Sequence, residues 1–208
     1  MKSKLNEIHI REGMAGELRR IYGLLQRDFA PEELKEYSQL ESLIAKEKYK
    51  ILLANHIELD SLIGYACIYE IEEINALWLD YLAVDVQFRN LGYGSALFHS
   101  IAGYKKGEGS LGVFLEVEIP GEEVGTNQEI QKRRIRFYEK NGATRLPVDY
   151  QLPTKEGSLP MYLYFKPAGN PNTLPDTKIK QAITSALAYI HTDIPHTGEI
   201  IRKVARSI

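Results

Sequence analysis

The segment Arg89-Asn90-Leu91-Gly92-Tyr93-Gly94-Ser95 carries the residue types best suited to holding a phosphate. It follows an apolar run from Leu77 to Val86 and precedes Leu97, Phe98, Ile101 and Tyr104, which recur at helical spacing. A strand that feeds a helix through a glycine-bearing turn sets several backbone N–H groups at the positive end of the helix, and that geometry holds a diphosphate. Gly92 and Gly94 let the backbone approach phosphate oxygens with no Cβ in the way. Arg89 adds a cation at the rim. Two glycines alone also suit a plain turn, so the reading depends on what else the chain carries. Other site patterns fail. The third glycine of a dinucleotide fingerprint is replaced by Leu97, Tyr93 stands where a nucleophile elbow around Ser95 needs glycine, and the five histidines show no metal-ligand spacing. No metal is expected.

The elements that must position this turn read as an alternation of strands and helices. Leu5 to Arg11 is expected as a strand, and Leu18, Ile21, Tyr22, Leu25 and Phe29 mark one helical face. Pro31 ends that helix and suits the first turn of a second, with Glu32 and Glu33 at its N-terminus, running to about Lys48. Tyr49–Ala54, Ser61–Ile71 and Ala76–Val86 read as an antiparallel meander. The helix after the glycine turn is expected to close at Gly107 and Gly109. Leu111 to Ile119 is a strand, Pro120 to Gln128 an acidic loop, and Glu129 to Lys140 a basic helix stopped by Asn141-Gly142. Thr144–Tyr150 and Leu159–Phe165 are expected to pair across Pro153 to Ser158. Pro167 to Asn172 reads as a linker, followed by two amphipathic helices that must dock on something to hide their apolar faces.

Composition bounds the classes. The 208 residues are 44% hydrophobic and 26% charged, which excludes a disordered or collagenous chain. With 26 Lys+Arg against 28 Asp+Glu the chain lacks the positive excess of a nucleic-acid binder. The N-terminus lacks the apolar core of a signal peptide, and the longest apolar stretch, near Leu62 to Tyr69, is too short for a bilayer. The single cysteine, Cys67, suits a reducing compartment. A cytoplasmic protein with no membrane or nucleic-acid partner is expected. Tyrosine is frequent, at 13 residues against one Trp and 6 Phe.

A second segment, Phe137-Tyr138-Glu139-Lys140-Asn141-Gly142-Ala143, ends a helix and enters a strand. With Arg89-x-x-Gly92-x-Gly94 it resembles the GNAT superfamily of acyl-CoA-dependent N-acyltransferases, over about Lys4 to Lys166. The resemblance implies an α+β fold, the GNAT fold: a central mixed, mostly antiparallel sheet flanked by helices. Here it would occupy 1–166, with residues 167–208 as linker and C-terminal helical extension. It implies acetyl-CoA as cosubstrate. The pyrophosphate would lie on Arg89, Asn90, Leu91, Gly92, Tyr93, Gly94 and Ser95, and the pantetheine against the backbone of Leu82, Ala83 and Val84.

The resemblance also implies a base and an acid. Leu115-Glu116-Val117 is similar to the Leu-Glu-Val run of the branch that acetylates ribosomal N-termini, where that glutamate is the proposed base. Glu118 shares the strand face and could pair with Glu116 or replace it; a strand-end carboxylate bound to a basic side chain of the next helix is the plainer reading of Glu116. Asp80, Glu70 and Glu72 are weaker candidates. Tyr138 matches the tyrosine that faces the CoA sulfur as acid or thiolate stabiliser. The Ile119–Gln128 insertion departs from the ribosomal branch, with Asn127 left as a CoA contact of unclear register. The run Lys132, Arg133, Arg134, Arg136 reads mainly as a solvated helix face. The expected activity is transfer of an acetyl group to a primary amine of a small molecule or peptide. The alternative is a CoA-binding sensor of the same fold. A homodimer is one role open to the C-terminal helices.

Overall fold

The computed structural model describes residues 4–31, 33–104, 109–121, 125–169 and 174–208. Its strands are β1 (Ile8–Glu12), β2 (Tyr49–His56), β3 (Leu62–Ile71), β4 (Ala76–Val84), β5 (Gly112–Glu118), β6 (Thr144–Arg145), β7 (Gln151–Thr154) and β8 (Gly157–Pro167). Its α-helices are α1 (Leu18–Asp28), α2 (Tyr37–Ile44), α3 (Tyr93–Ala102), α4 (Thr126–Lys140), α5 (Asp176–Ile190) and α6 (Thr197–Ala205). The sheet runs β1-β2-β3-β4-β5-β8-β6, with β7 added on β8, and is mostly antiparallel, as in the GNAT fold. Two compact units divide the chain: residues 1–70 with 79–100, and residues 71–78 with 101–208. The first three residues of β4 group with the second unit and the rest with the first.

In the first unit Leu18, Ile21 and Leu25 of α1 and Leu40 and Leu43 of α2 are buried, the three-to-four spacing of a single helix face. β3 is buried almost without interruption from Ile63 to Tyr69, because both its faces are covered. The first strand starts at Ile8, not Leu5, since Lys4–Glu7 forms a short 3-10 turn. The second helix starts at Tyr37, not Pro31. Tyr81 explains the delay: its hydroxyl donates to Glu33 O (2.7 Å) and accepts from the Lys35 amide (3.1 Å). Those backbone groups are satisfied by β4 in place of a first helical turn. Glu32 lies outside the described residues.

In the second unit Trp78 stacks on Phe114 (6.1 Å), which meets Phe165 (4.7 Å). The last hairpin differs from the expected one. β7 and β8 turn at Lys155-Glu156, with Pro153 inside β7 opposite Ser158; of the earlier stretch, Thr144 and Arg145 form a ladder with β8, and Leu146 and Tyr150 add single backbone bonds to it. α4 starts at Thr126, three residues before the expected boundary. The C-terminal helices belong to this unit. α5 buries Ile179, Ala182, Ile183, Ala186, Leu187 and Ile190, α6 buries Ile200 and Val204, and α6 lies against β7. Each fully buried Ile or Leu contributes roughly 1.5–3 kcal/mol. Gly107 and residues 170–172 of the expected linker lie outside the described residues. Among the described residues no helix is long and apolar enough to cross a membrane.

Candidate active site

The phosphate turn lies in the first unit. β4 ends at Val84, and the Asp85 carboxylate accepts the Gln87 amide (3.1 Å) to start a short 3-10 turn through Phe88. Asn90 (φ +63°) and Gly92 (φ +89°) then take left-handed conformations that swing the chain into α3. The first bond of that helix runs from the Ala96 amide to Gly92 O (3.1 Å). The amides of Tyr93, Gly94 and Ser95 precede it, at the positive end of the helix. This geometry fits a diphosphate, and so fits the pyrophosphate of acetyl-CoA.

Side chains of the turn point to structural tasks. Arg89 donates from Nε to Val84 O (2.8 Å) and from Nη2 to Asp28 (3.0 Å), so it braces the end of β4. Tyr93 is buried, packs with Ile8, Ile63 and Ala96, and donates its hydroxyl to Glu7 (2.7 Å). Leu91 is exposed. The Ala83 carbonyl faces β3: a Cβ at Gly64 would sit 2.5 Å from it, so only glycine allows the two strands to approach this closely. The Asp85 amide donates to Ile63 O (2.7 Å) just beyond. Leu82 and Val84 are half-buried.

The candidate acid and base lie in the second unit. Glu116 and Glu118 flank the buried Val117 and so share one face of β5, in register with Leu163 and Met161 of β8. Glu116 accepts a hydrogen bond from the Tyr150 hydroxyl. Glu118 accepts one from Arg134 of α4, and its other oxygen, Oε2, is buried with no hydrogen-bond partner among the described residues. Glu118 is thus paired with a basic side chain from the following helix. Arg134 and Tyr138 are one turn apart on α4. Tyr138 is 7% exposed. Burial pushes its phenol up to about 12, with Glu118 adding to the rise and Arg134 opposing it. Its hydroxyl is therefore neutral at physiological pH. α4 ends where Asn141 Nδ2 donates to Phe137 O (2.7 Å) and Gly142 turns left-handed (φ +82°).

The remaining candidates are engaged elsewhere. The Asp80 side chain, 6% exposed, holds Lys35 (3.0 Å) and the Tyr49 hydroxyl. Glu70 pairs with Lys50 (3.0 Å). Asn127 lies exposed in the first turn of α4. Lys132 and Arg136 pair with Glu129 along the helix (3.6 and 3.8 Å), as a solvated face does. Among the described residues no cluster of His, Cys, Asp and Glu suits a metal. Tyr150 and Lys35 are the residues sequence reasoning missed. Neither stands in a motif, and the place of Tyr150 beside Glu116 shows only in their hydrogen bond.

The model of the acetyltransferase (GNAT) family matches residues 18–143, well over half of the chain. The chain belongs to this family, whose members are acetyltransferases that use acetyl-CoA. A protein of Bacteroides thetaiotaomicron assigned to the same family superposes with a TM-score of 0.67 at 26% identity, covering 87% of this chain and 98% of the other. A chimera of Vibrio cholerae spermidine N-acetyltransferase SpeG and hSSAT gives 0.60 at 15% identity, over 78% and 96%. The spermidine/spermine N-acetyltransferase SpeG of Vibrio cholerae in complex with manganese ions gives 0.56 at 16%, over 79% and 94%. These last two show likeness of fold. None of the curated proteins matches the sequence.

Proposed function

We propose that the chain transfers the acetyl group of acetyl-CoA to a primary amine, with Glu116 as base and Tyr138 as hydrogen-bond donor to the sulfur. The supporting observation is that Glu116 and Glu118 share one face of β5, where Glu116 accepts from the Tyr150 hydroxyl and Glu118 accepts from Arg134. Acetyl-CoA supplies the activated thioester. An aliphatic amine has a pKa near 10.4, and freeing it at pH 7 costs about 4–5 kcal/mol. A carboxylate at Glu116, directly or through water, takes that proton. Tyr138, held at about 12, is a weaker acid than the parent thiol of the leaving group, with pKa about 8.5. It therefore stabilises the developing thiolate by donating a hydrogen bond and keeps its own proton. The turn from Arg89 to Ser95 binds pyrophosphate through backbone amides, with Arg89 acting from behind as a brace; Leu82, Ala83 and Val84 supply backbone groups to the pantetheine.

Thiol release from acetyl-CoA across a panel of amines tests this. The panel includes spermidine, because structures of similar fold are of spermidine N-acetyltransferases. Glu116→Gln and Tyr138→Phe are each expected to lower kcat by about 10²-fold while the KM for acetyl-CoA stays put. Undiminished turnover in either variant removes that residue from the proposal.

A further inference from the structure

Tyr150 donates its hydroxyl hydrogen to Glu116. Its ring is 1% exposed and lies 6.0 Å from that of Trp78, so close packing fixes where the hydroxyl can be. The backbone on both sides is also fixed. Tyr150 O accepts the Met161 amide of β8 (3.1 Å). The neighbouring Asp149 amide donates to Ser207 Oγ (3.2 Å), which itself donates to Val204 O (2.7 Å) at the end of α6. His196, just before α6, reaches Gly157 O at the start of β8 (2.7 Å), and α6 lies against β7, which begins one residue after Tyr150. The segment carrying Tyr150 is thus held between β8 and the C-terminal helices. The family match ends at residue 143, so Glu116 is inside it while Tyr150 and both helices are outside.

We propose that Tyr150 is a positioning residue for Glu116, kept in place by α6, and that the C-terminal extension thereby serves the acetyl transfer. This rests on the reading of Glu116 as the base. An O–H donor on a carboxylate fixes its rotation and favours its ionised form, the form a base needs. Removing the donor turns the carboxylate loose and makes it easier to protonate. The other charged and titratable groups on β5 and on the elements packed against it are Glu118; Glu129, Lys132, Arg133, Arg134, Arg136, Tyr138, Glu139 and Lys140 on α4; and Tyr162, Tyr164 and Lys166 on β8. All of them remain in Tyr150→Phe, so a change in that variant belongs to the lost hydroxyl.

The test begins without any acceptor. The side-chain carboxyl ¹³C signal of Glu116, assigned by its loss in Glu116→Gln, is titrated in the wild type and in Tyr150→Phe. Its midpoint is expected to rise by about one pH unit in the variant; an unmoved midpoint overturns the proposal. With the best amine of the panel, Tyr150→Phe is expected to lower kcat about tenfold at unchanged acetyl-CoA KM. In the Glu116→Gln background the same change is expected to cost less than about twofold, because both act through one carboxylate. Equal losses in both backgrounds overturn the proposal while leaving Glu116 as the base. Full activity of Glu116→Gln removes the base itself and the proposal with it. Val204→Ala, which loosens α6, is expected to move the midpoint in the same direction; an unmoved midpoint in the folded variant overturns the part assigned to α6.

Discussion

Gly92 concentrates the binding argument at a single residue. At φ +89° an L side chain is strained, while among the described residues its added Cβ would meet only Lys4 Cγ, at a comfortable 3.5 Å. The glycine is thus required by backbone conformation and not by crowding. Gly92→Val is expected to shift the turn, cost about 1–3 kcal/mol, and weaken CoA binding at least tenfold, with far-UV circular dichroism unchanged. Calorimetric titration with CoA checks this, and undiminished affinity would reject the pyrophosphate role. Residue types told unevenly in the sequence. Glycines in a motif announce a backbone geometry, so the left-handed turn at Gly92 is legible. In sequence the charge of Arg89 suits a rim cation, whereas its partners Val84 O and Asp28 are visible only once α1 and β4 are placed. Tyr150 gave no signal at all, since its role comes from a hydrogen bond across 34 residues.

At the scale of elements, the end of α1 and the phosphate turn are one electrostatic assembly. Asp28, the last residue of α1, stands where the helix dipole disfavours an anion. Its carboxylate is 5% exposed and accepts from Arg27 (2.9 Å), Arg89 (3.0 Å) and Tyr65 (3.1 Å), while Arg27 also reaches Asp85 (3.2 Å). The network offsets the dipole and ties Arg89 to the end of β4. Asp28→Asn takes the carboxylate from Arg89 and leaves Arg27 with Asp85 as its counter-charge. It is expected to cost about 2 kcal/mol in urea unfolding and to raise the KM for acetyl-CoA although Asp28 lies outside the turn. Unchanged stability would make the network superficial. Elements with a strong apolar period, such as α1, β3 and α5, were legible because periodicity reports one buried face. The start of α2 and the turn of the last hairpin were not. There a tyrosine on β4 captures the backbone of Glu33 and Lys35, and a proline is accepted inside β7, and both are tertiary effects.

Across the whole molecule five of the 13 tyrosines repeat one device, a phenol whose hydroxyl donates to a carboxylate. The pairs are Tyr49 with Asp80, Tyr65 with Asp28, Tyr93 with Glu7, Tyr150 with Glu116 and Tyr164 with Glu139. Each covers apolar area with its ring and satisfies a hydroxyl that would cost about 1–3 kcal/mol if buried alone. The device has a consequence at high pH. Burial, together with neighbouring carboxylates, pushes Tyr49 and Tyr65 above the ordinary phenol range; burial pushes up Tyr81 as well, and takes Tyr138 and Tyr164 to about 12. An unfolded chain releases phenol protons near about pH 10. Above that value the unfolded state binds fewer protons than the folded one, so stability falls as pH rises. This contribution is fully present below about pH 10 and is lost as pH climbs through the folded values at about 12 and beyond. The urea midpoint is expected to be nearly level from about pH 7 to 9 and to drop steeply above about pH 10. Tyr65→Phe and Tyr164→Phe are each expected to flatten that drop by up to one proton's worth of slope, although each also loses a hydrogen bond at neutral pH. A midpoint that holds to pH 11 would mean that these phenols ionise in the folded protein as freely as in the unfolded chain, and that their pairing with carboxylates does not hold the folded state together.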